Sequence, residues 1–296
     1  MIVLAIHARR TCALIAAGSL LIAAAFQTSH FDLAKPDRVY ELPSELLEVS
    51  ALTDVDEHTV ACVQDEAAML YLYDLREGRV VKRLAFEPPG DMEGLTRVGD
   101  VYHAIRSDGM LYRFSIEGSG VRVRDSILLS LPMGNIEGLG YDEARDRVLV
   151  SPKEIQKGEK ELRDRRAIYA YDPRTRKLDP EPALELTVSD VISQARTAGW
   201  PIPMRTTDKG RQVPALKLRF SSVAVEPGTD RIYLLSAVDR TLLIVDRLGR
   251  LLVLHQLDAK LYPKPEGITF LPSGAVLISN EGKSSAPNLL LFKRSR

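Results

Sequence analysis

The sequence has few of the residues that build disulfide frameworks, zinc sites or strongly basic surfaces. Its 296 residues include two cysteines and five histidines, and lysine plus arginine equal aspartate plus glutamate at 40 each. Two cysteines, Cys12 and Cys62, do not make a disulfide framework. The histidines at 58, 103 and 255 are scattered and lack zinc-ligand spacing. The balanced charge argues against a general nucleic-acid-binding protein, which normally has a basic excess.

Long apolar runs are also scarce, with one exception near the N-terminus. Residues 11–26 read TCALIAAGSLLIAAAF, follow Arg9-Arg10, and include small residues suited to cleavage at Ala23-Ala24-Ala25. The run has the length of a signal-peptide core and is short for a membrane span, which needs roughly 20 residues. The sequence therefore predicts a signal peptide over 1–28 that exports the chain to a bacterial periplasm. The alternative is an uncleaved anchor in the inner membrane through residues 11–26.

Two catalytic signatures are missing. The chain has no Gly-x-Ser-x-Gly nucleophile elbow and no glycine-rich phosphate loop, and Gly118-Ser119-Gly120 reads as a turn between strands. Nucleophilic serine catalysis and phosphate-loop chemistry therefore have no support. Cys62 lies in an apolar alternation and is predicted to be a buried, inert thiol rather than a nucleophile.

A repeated motif is the strongest positive feature. Glu93-Gly94-Leu95-Thr96, Glu137-Gly138-Leu139-Gly140 and Glu266-Gly267-Ile268-Thr269 are close copies, and looser copies begin at Glu48 and Ser221. The copies start at 48, 93, 137, 221 and 266, which is a period of about 45 residues with one gap of 84. A period in the forties is typical of propeller blades.

Each copy begins a series of strand-like runs. Four runs per unit and a last unit with only three runs point to a ring that the N-terminal run Arg38–Leu42 completes. The prediction is an all-β, five-bladed propeller of four-stranded blades over residues 38–296, with the last blade closed by the N-terminal strand. The long gap predicts an insertion over 187–218 that contains a short helix at Ser189–Arg196. A smaller charged insertion is predicted at Ile155–Arg166.

Carboxylates recur at one rim of the predicted ring. The start of a first strand lies beside the end of the second strand in a hairpin, so residues at both places meet near the axis. Like charges about 4 Å apart repel by roughly 4 kcal/mol at an effective dielectric of about 20. Protons, the nearby bases Arg106, Lys153 and Arg240, or a cation must neutralise them, and oxygen ligands suit calcium. The candidate calcium ligands are Glu48, Glu93, Glu137, Glu154, Asp239, Glu266 and Glu281.

Two other interpretations of these glutamates remain open. Each could accept hydrogen bonds from backbone amides of the neighbouring blade and so close the ring. Alternatively, they could bind an organic ligand without a metal.

The motifs resemble a known family. Glu93-Gly94-Leu95-Thr96, Glu137–Asp142, Ser151–Glu154, Pro265–Thr269 and Ser279–Gly282 are similar to the SdiA-regulated family of bacterial exported proteins, over residues 38–294. The resemblance implies a five-bladed propeller, distantly related to NHL-repeat proteins, with a bound calcium ion and no established activity. Ser221 and the long insertion depart from the pattern. A weaker resemblance, through Ser279–Gly282, is to esterase-like phytase propellers.

We therefore expect an exported, monomeric binding propeller with a calcium ion near its axis and a small-molecule or protein ligand at its mouth. The first alternative is a calcium-dependent hydrolase acting on a lactone or phosphoester, in which the metal is a Lewis acid. The second is an interaction scaffold anchored at the inner membrane.

Overall fold

A strand from the N-terminal part of the chain closes the ring. In a computed structural model, which describes residues 31–282 and 285–295, β1 (Arg38–Glu41) pairs antiparallel with the last strand, β23 (Asn288–Phe292). The four-stranded sheet that contains both therefore joins the two ends of the propeller. The signal segment predicted over 1–28 lies outside the described residues. No helix within the described ranges has the length and apolar character to cross a bilayer.

Four further sheets complete a five-bladed β-propeller, as the repeat predicts. In every blade the chain runs from an inner first strand outward. The strands of blade one are β2 (Val49–Asp54), β3 (Thr59–Gln64), β4 (Ala67–Asp74) and β5 (Arg79–Ala85). Those of blade two are β6 (Met92–Val98), β7 (Val101–Arg106), β8 (Met110–Glu117) and β9 (Gly120–Leu128).

Blades three to five follow the same plan. Blade three contains β10 (Ile136–Asp142), β11 (Arg147–Pro152), β12 (Arg165–Asp172), β13 (Lys177–Leu178) and β14 (Leu184–Thr187). After the insertion, blade four contains β17 (Ser222–Val225), β18 (Ile232–Ser236), β19 (Thr241–Val245) and β20 (Leu251–Gln256). Blade five contains β21 (Pro265–Phe270), β22 (Val276–Asn280), β23 and β1. The first strands of neighbouring blades contact one another round the ring, and β21 contacts β2.

The core lies between adjacent blades rather than within one. The middle strands are covered on both faces, so β18 and β19 are buried at every position, and their sequences are nearly continuously apolar. The outer strand β9 is largely exposed. Between blades one and two, Phe86 and Phe114 stack with ring centroids 4.3 Å apart. Cys62 is fully buried, as expected, and burial raises the pKa of its thiol to about 12.

The fourth strand of blade three differs from the sequence prediction. A single fourth strand was predicted for each blade, but here two short segments, β13 and β14, pair with successive parts of β12. Pro180 and Pro182 lie between them. Proline has no N–H to donate to the ladder, so the strand is interrupted there.

The insertion over 187–218 is part of the core between blades three and four. Its helix α2 (Val188–Ala198) buries Val188, Val191 and Ala195 in that interface. Thr187 caps the helix by accepting a 3.1 Å hydrogen bond from the Asp190 N–H. An exposed hairpin follows the helix, formed by β15 (Met204–Thr206) and β16 (Gln212–Pro214). The smaller insertion carries the one-turn helix α1 (Lys160–Asp164).

Candidate functional site

The glutamates of the repeat occupy bulges at the start of first strands. In blade two, Met92 pairs with Arg106 and Gly94 pairs with Ile105, so Glu93 has no partner residue across the ladder. Glu137 and Glu266 are skipped in the same way. A bulge re-aims the side chain of the extra residue. The common bulge therefore gives these three glutamates equivalent places at one rim of the ring.

Serines occupy the equivalent positions in the other two blades. The register of blade one skips Ser50, and Ser221 precedes the first pair of blade four, Ser222 with Leu235. The alignment of Glu48 with the other glutamates was wrong by two residues, whereas the assignment of Ser221 is confirmed. The Ser50 hydroxyl donates to the Met92 carbonyl at 2.6 Å, so this position contacts the next blade.

Glu48 instead belongs to an outer set of residues, each two positions before a bulge. Backbone hydrogen bonds identify four members of this set, because the N–H groups of Asp65, Ser107, Lys153 and Glu281 donate to the carbonyls of Glu48, Asp91, Asn135 and Lys264. Arg219 is the fifth member by its spacing, since it lies two residues before Ser221. This second ring was not predicted from the sequence, although its spacing to the bulge is constant.

The glycine after each glutamate allows close contact between blades. A Cβ atom on Gly94 would lie 2.5 Å from the carbonyl oxygen of Glu137, and one on Gly267 would lie 2.4 Å from Leu52 Cδ2. Real Cβ atoms do not approach this closely. The Glu-Gly pair thus combines a carboxylate at the mouth with a backbone that packs against the adjacent first strand.

Two lysines lie among the bulge glutamates. Lys153 Nζ is 2.5 Å from Glu137 Oε1, which also accepts a 3.0 Å hydrogen bond from Asn135 Nδ2. Lys264 Nζ is 3.3 Å from Glu266 Oε1 and forms a second ion pair with Glu281. The expected bonds from backbone amides of neighbouring blades to these carboxylates are not observed among the described residues. Instead, the Glu137 carboxylate contacts the side chains of Lys153 and Asn135, and the Glu266 carboxylate contacts Lys264.

Burial raises the pKa values of the bulge glutamates and so reduces the negative charge of this cluster. Burial, then the charges of Glu137 and Asp91, raise the pKa of Glu93 to about 9. Burial raises the pKa of Glu137 to about 7 despite the opposing charge of Lys153. Burial also raises the pKa of Glu266. For Lys153, burial lowers the pKa, but the charges of Glu137, Glu266 and Glu93 outweigh it and raise the pKa. The cluster therefore holds protons at neutral pH.

A second group of carboxylates lies beside the first, where blades one and five meet. Burial, then the neighbouring charges of Glu48 and Glu281, raise the pKa of Asp65 to about 7. Asp65 Oδ1 is buried without a hydrogen-bond partner in the described part of the chain. The rim thus brings together five of the seven predicted ligands, Glu48, Glu93, Glu137, Glu266 and Glu281, together with Asp65.

The other two predicted ligands have different surroundings. Glu154 is half-exposed, and its carboxylate lies 3.7 Å from Lys157. Asp239 accepts hydrogen bonds from the Leu218 N–H at 2.7 Å, the Lys217 N–H at 3.0 Å and the Ser236 hydroxyl at 2.8 Å. Asp239 therefore fixes the end of the insertion to blade four.

A larger cavity of about 1050 Å³ opens along the axis from the opposite face. Its lining includes one apolar side chain from each first strand: Leu52, Leu95, Leu139, Val223 and Ile268. Each of these side chains lies two residues after the bulge position of its blade, as Leu95 does after Glu93. The apolar ring therefore separates this cavity from the carboxylates.

Comparison with known proteins supports the fold alone. No protein-family model and no curated protein sequence matches the chain. Among solved structures, the glutaminyl cyclase of Myxococcus xanthus is similar, with a TM-score of 0.57 and 15% identity over 88% of this chain and 95% of that chain. A chain of a mitotic checkpoint complex has a TM-score of 0.45 and 10% identity over 84% of this chain and 64% of that chain.

Proposed function

We propose that this chain is an exported ligand-binding propeller whose axial mouth binds a calcium ion. The observation that carries the proposal is the convergence of Glu93, Glu137 and Glu266 around Lys153 in a buried place. Carboxylates outnumber cations there, and burial disfavours their charged forms. A divalent cation would replace protons and stabilise the ionised carboxylates.

The chemistry of the donor atoms fits calcium, but a bound ion would have to compete with a lysine for them. Carboxylate oxygens are the ligands that calcium prefers, and Glu93, Glu137 and Glu266 would hold the ion. In the described residues, no group of three His, Cys, Asp or Glu side chains is arranged to hold a metal. Lys153 contacts Glu137, so a cation would compete with its ammonium. The Lys153 side chain is 21% exposed, which gives it a path toward solvent.

Thermal unfolding tests the calcium proposal. A chelator should lower the melting temperature of the purified protein, and calcium should restore it, because a ligand that binds only the folded state stabilises that state. Glu137→Gln and Glu266→Gln should remove the response, whereas Glu154→Gln should keep it. Melting that ignores both chelator and calcium would contradict the proposal.

An enzyme is the second candidate, because Glu137 has a pKa of about 7 beside a lysine. A group with a pKa near the working pH suits general acid–base catalysis. The similar Myxococcus protein is named a glutaminyl cyclase, so an N-terminal glutaminyl peptide is one assay substrate, beside a lactone and a phosphomonoester for the hydrolase alternative. Turnover that is lost in Glu137→Gln would support this candidate. Absence of turnover over the panel, with and without calcium, would reject it.

We also propose that the chain belongs with the SdiA-regulated proteins and is exported. The repeat and its spacing support the first proposal, and the composition of residues 1–28 supports the second. Mass spectrometry of the mature N-terminus separates a cleaved signal from the anchor of the scaffold alternative. A mature chain that begins near residue 28 would exclude the anchor.

A further inference from the structure

The fourth blade breaks the acidic pattern of the mouth. Its bulge position is Ser221 rather than a glutamate, and its outer position is Arg219. Arg219 Nε is buried and has no hydrogen-bond partner in the described ranges. The sector of the rim at blade four thus lacks a first-strand carboxylate and carries a guanidinium instead.

A cavity of about 380 Å³ lies in this sector. Three cationic side chains line it, Lys153 from blade three, Arg240 from blade four and Lys264 from the start of blade five. Arg219 itself is not part of the lining. The size suits a small organic ligand.

The charges that line the cavity are unequally compensated. Glu266 and Glu281 also line it, but Lys264 forms ion pairs with both. Lys153 is paired with Glu137. Arg240 has no carboxylate within salt-bridge distance among the described residues, and its Nε–H donates only a long, 3.4 Å hydrogen bond to the Pro263 carbonyl. The free positive charge of the cavity is therefore on Arg240.

Backbone conformation places Arg240 at this position. Arg240 has φ of +47°, which is uncommon for a residue other than glycine. The turn that contains it is fixed from behind by Asp239, which binds backbone N–H groups of Lys217 and Leu218. The insertion and blade four together fix the backbone of Arg240 at the edge of the cavity.

We propose that this cavity binds the carboxylate group of a small, monoanionic organic ligand. Arg240 forms the principal ion pair and Lys153 contributes a second donor. Ala237, Val238 and Pro263 supply an apolar wall for the rest of the molecule. Glu266 and Glu281 disfavour a dianion such as a phosphate monoester. The inference names the ligand class for the proposed binding function of this mouth, and it does not require calcium.

Calorimetric titration of the purified protein with N-acetylalanine tests the inference, with N-acetylalanine amide as the uncharged match and inorganic phosphate as the dianion. The acid should bind, the amide should bind at least tenfold more weakly, and phosphate should not compete. Arg240→Gln should lower the affinity for N-acetylalanine at least tenfold, and Arg240→Lys should lower it less. The exposed control Arg76→Gln should leave the affinity unchanged.

Equal binding of acid and amide, absence of binding by the acid, or an affinity unchanged in Arg240→Gln would overturn the inference. Phosphate binding that depends on Arg240 would overturn the assignment to a monoanionic carboxylate. The titrations are made with chelator and with calcium. Acid binding that persists in chelator, from a protein that gives no calcium response, would leave this inference standing while the calcium proposal fails.

Discussion

The ammonium of Lys153 lies 2.5 Å from Oε1 of Glu137 at the mouth of the ring; Glu137 belongs to β10, and Lys153 directly follows β11, the strand paired with β10. Glu137 is 2% exposed, so the ion pair is formed where water cannot replace a lost partner. Lys153 also faces the charges of Glu266 and Glu93. Lys153 therefore favours the ionised forms of all three bulge glutamates, and Lys264 assists it at Glu266.

Replacing Lys153 should make stability more sensitive to alkaline pH. In Lys153→Met, Glu137 loses its opposing charge, so its pKa should rise above about 7. At pH 5 the folded protein already holds a proton on Glu137, and the variant should lose little through this group. At pH 8 the additional loss should be about 1 kcal/mol, because one pKa unit corresponds to about 1.4 kcal/mol. Urea unfolding at both pH values measures this difference.

Lys157→Met is the matched control, since the Lys157 side chain is 92% exposed and pairs with Glu154. It should change stability equally at both pH values. A Lys153→Met variant whose destabilisation is also independent of pH would contradict the role given to the Lys153–Glu137 pair.

Glu93 should make the folded protein less stable as pH rises. Its pKa is about 9 in the folded chain, against an ordinary value of 4.5. Between those values the folded state holds one more proton than the unfolded state, so stability falls with rising pH by at most about 1.4 kcal/mol per unit. The contribution is fully present below pH 4.5 and is lost by about pH 9. Glu93→Gln should remove this slope and be the more stable protein at pH 9.

The measurement is the free energy of unfolding from pH 5 to pH 9 in the presence of chelator. Glu154→Gln serves as control, because Glu154 lies at the same rim but is half-exposed. An unchanged slope in Glu93→Gln would show that Glu93 titrates normally.

The Glu-Gly pair predicts a steric effect on stability. A Cβ atom on Gly94 would meet the Glu137 carbonyl oxygen at 2.5 Å, and that oxygen belongs to the backbone. Gly94→Ala should therefore destabilise the protein by about 1–3 kcal/mol, as overpacking does. Gly120→Ala is the control, because a Cβ there would meet nothing within 4 Å and its φ is not in the left-handed region. Equal stability of the two variants in urea unfolding would refute the packing role.

The sequence predicted the fold well because the repeat is regular in length. Spacing predicted the blade count and the insertion, and the missing fourth run of the last unit predicted the closing strand at Arg38–Leu42. Register was predicted less well. Glu48 was aligned with the bulge glutamates because it is a carboxylate. Ser50, however, precedes the apolar residue Leu52 by two positions, just as Glu93 precedes Leu95. The spacing to the apolar residue therefore predicts the bulge position better than the residue type does.

The composition of the mouth was harder to predict, because it depends on side-chain directions. A bulge is not visible in a sequence, and it determines which residues face the axis. The role of Lys264 was missed, although it precedes Glu266 by two residues, as Asn135 precedes Glu137. The hydrogen bonds of Asp239 depend on the end of the insertion, whose path the repeat does not specify.

A buried ion pair between blades three and four should contribute strongly to stability. Asp142 is fully buried and accepts hydrogen bonds from Arg247 at 2.6 and 2.9 Å and from Arg147 at 3.0 Å. Asp142→Asn should cost about 3–5 kcal/mol, since removing one partner leaves buried charges uncompensated. Glu117→Gln, in an exposed pair with Arg122, should cost less than about 1 kcal/mol. Similar losses of unfolding free energy in Asp142→Asn and Glu117→Gln would contradict the stabilising role of the buried pair.

Direct titration of calcium into the protein at pH 8, followed by calorimetry, tests the central claim that the bulge glutamates bind a cation. We expect saturable binding that Glu137→Gln and Glu266→Gln abolish and Asp239→Ala leaves intact. We also expect at least severalfold tighter binding in Lys153→Met, because the competing ammonium is gone. Absence of binding, or binding that these glutamate variants do not change, would contradict the claim.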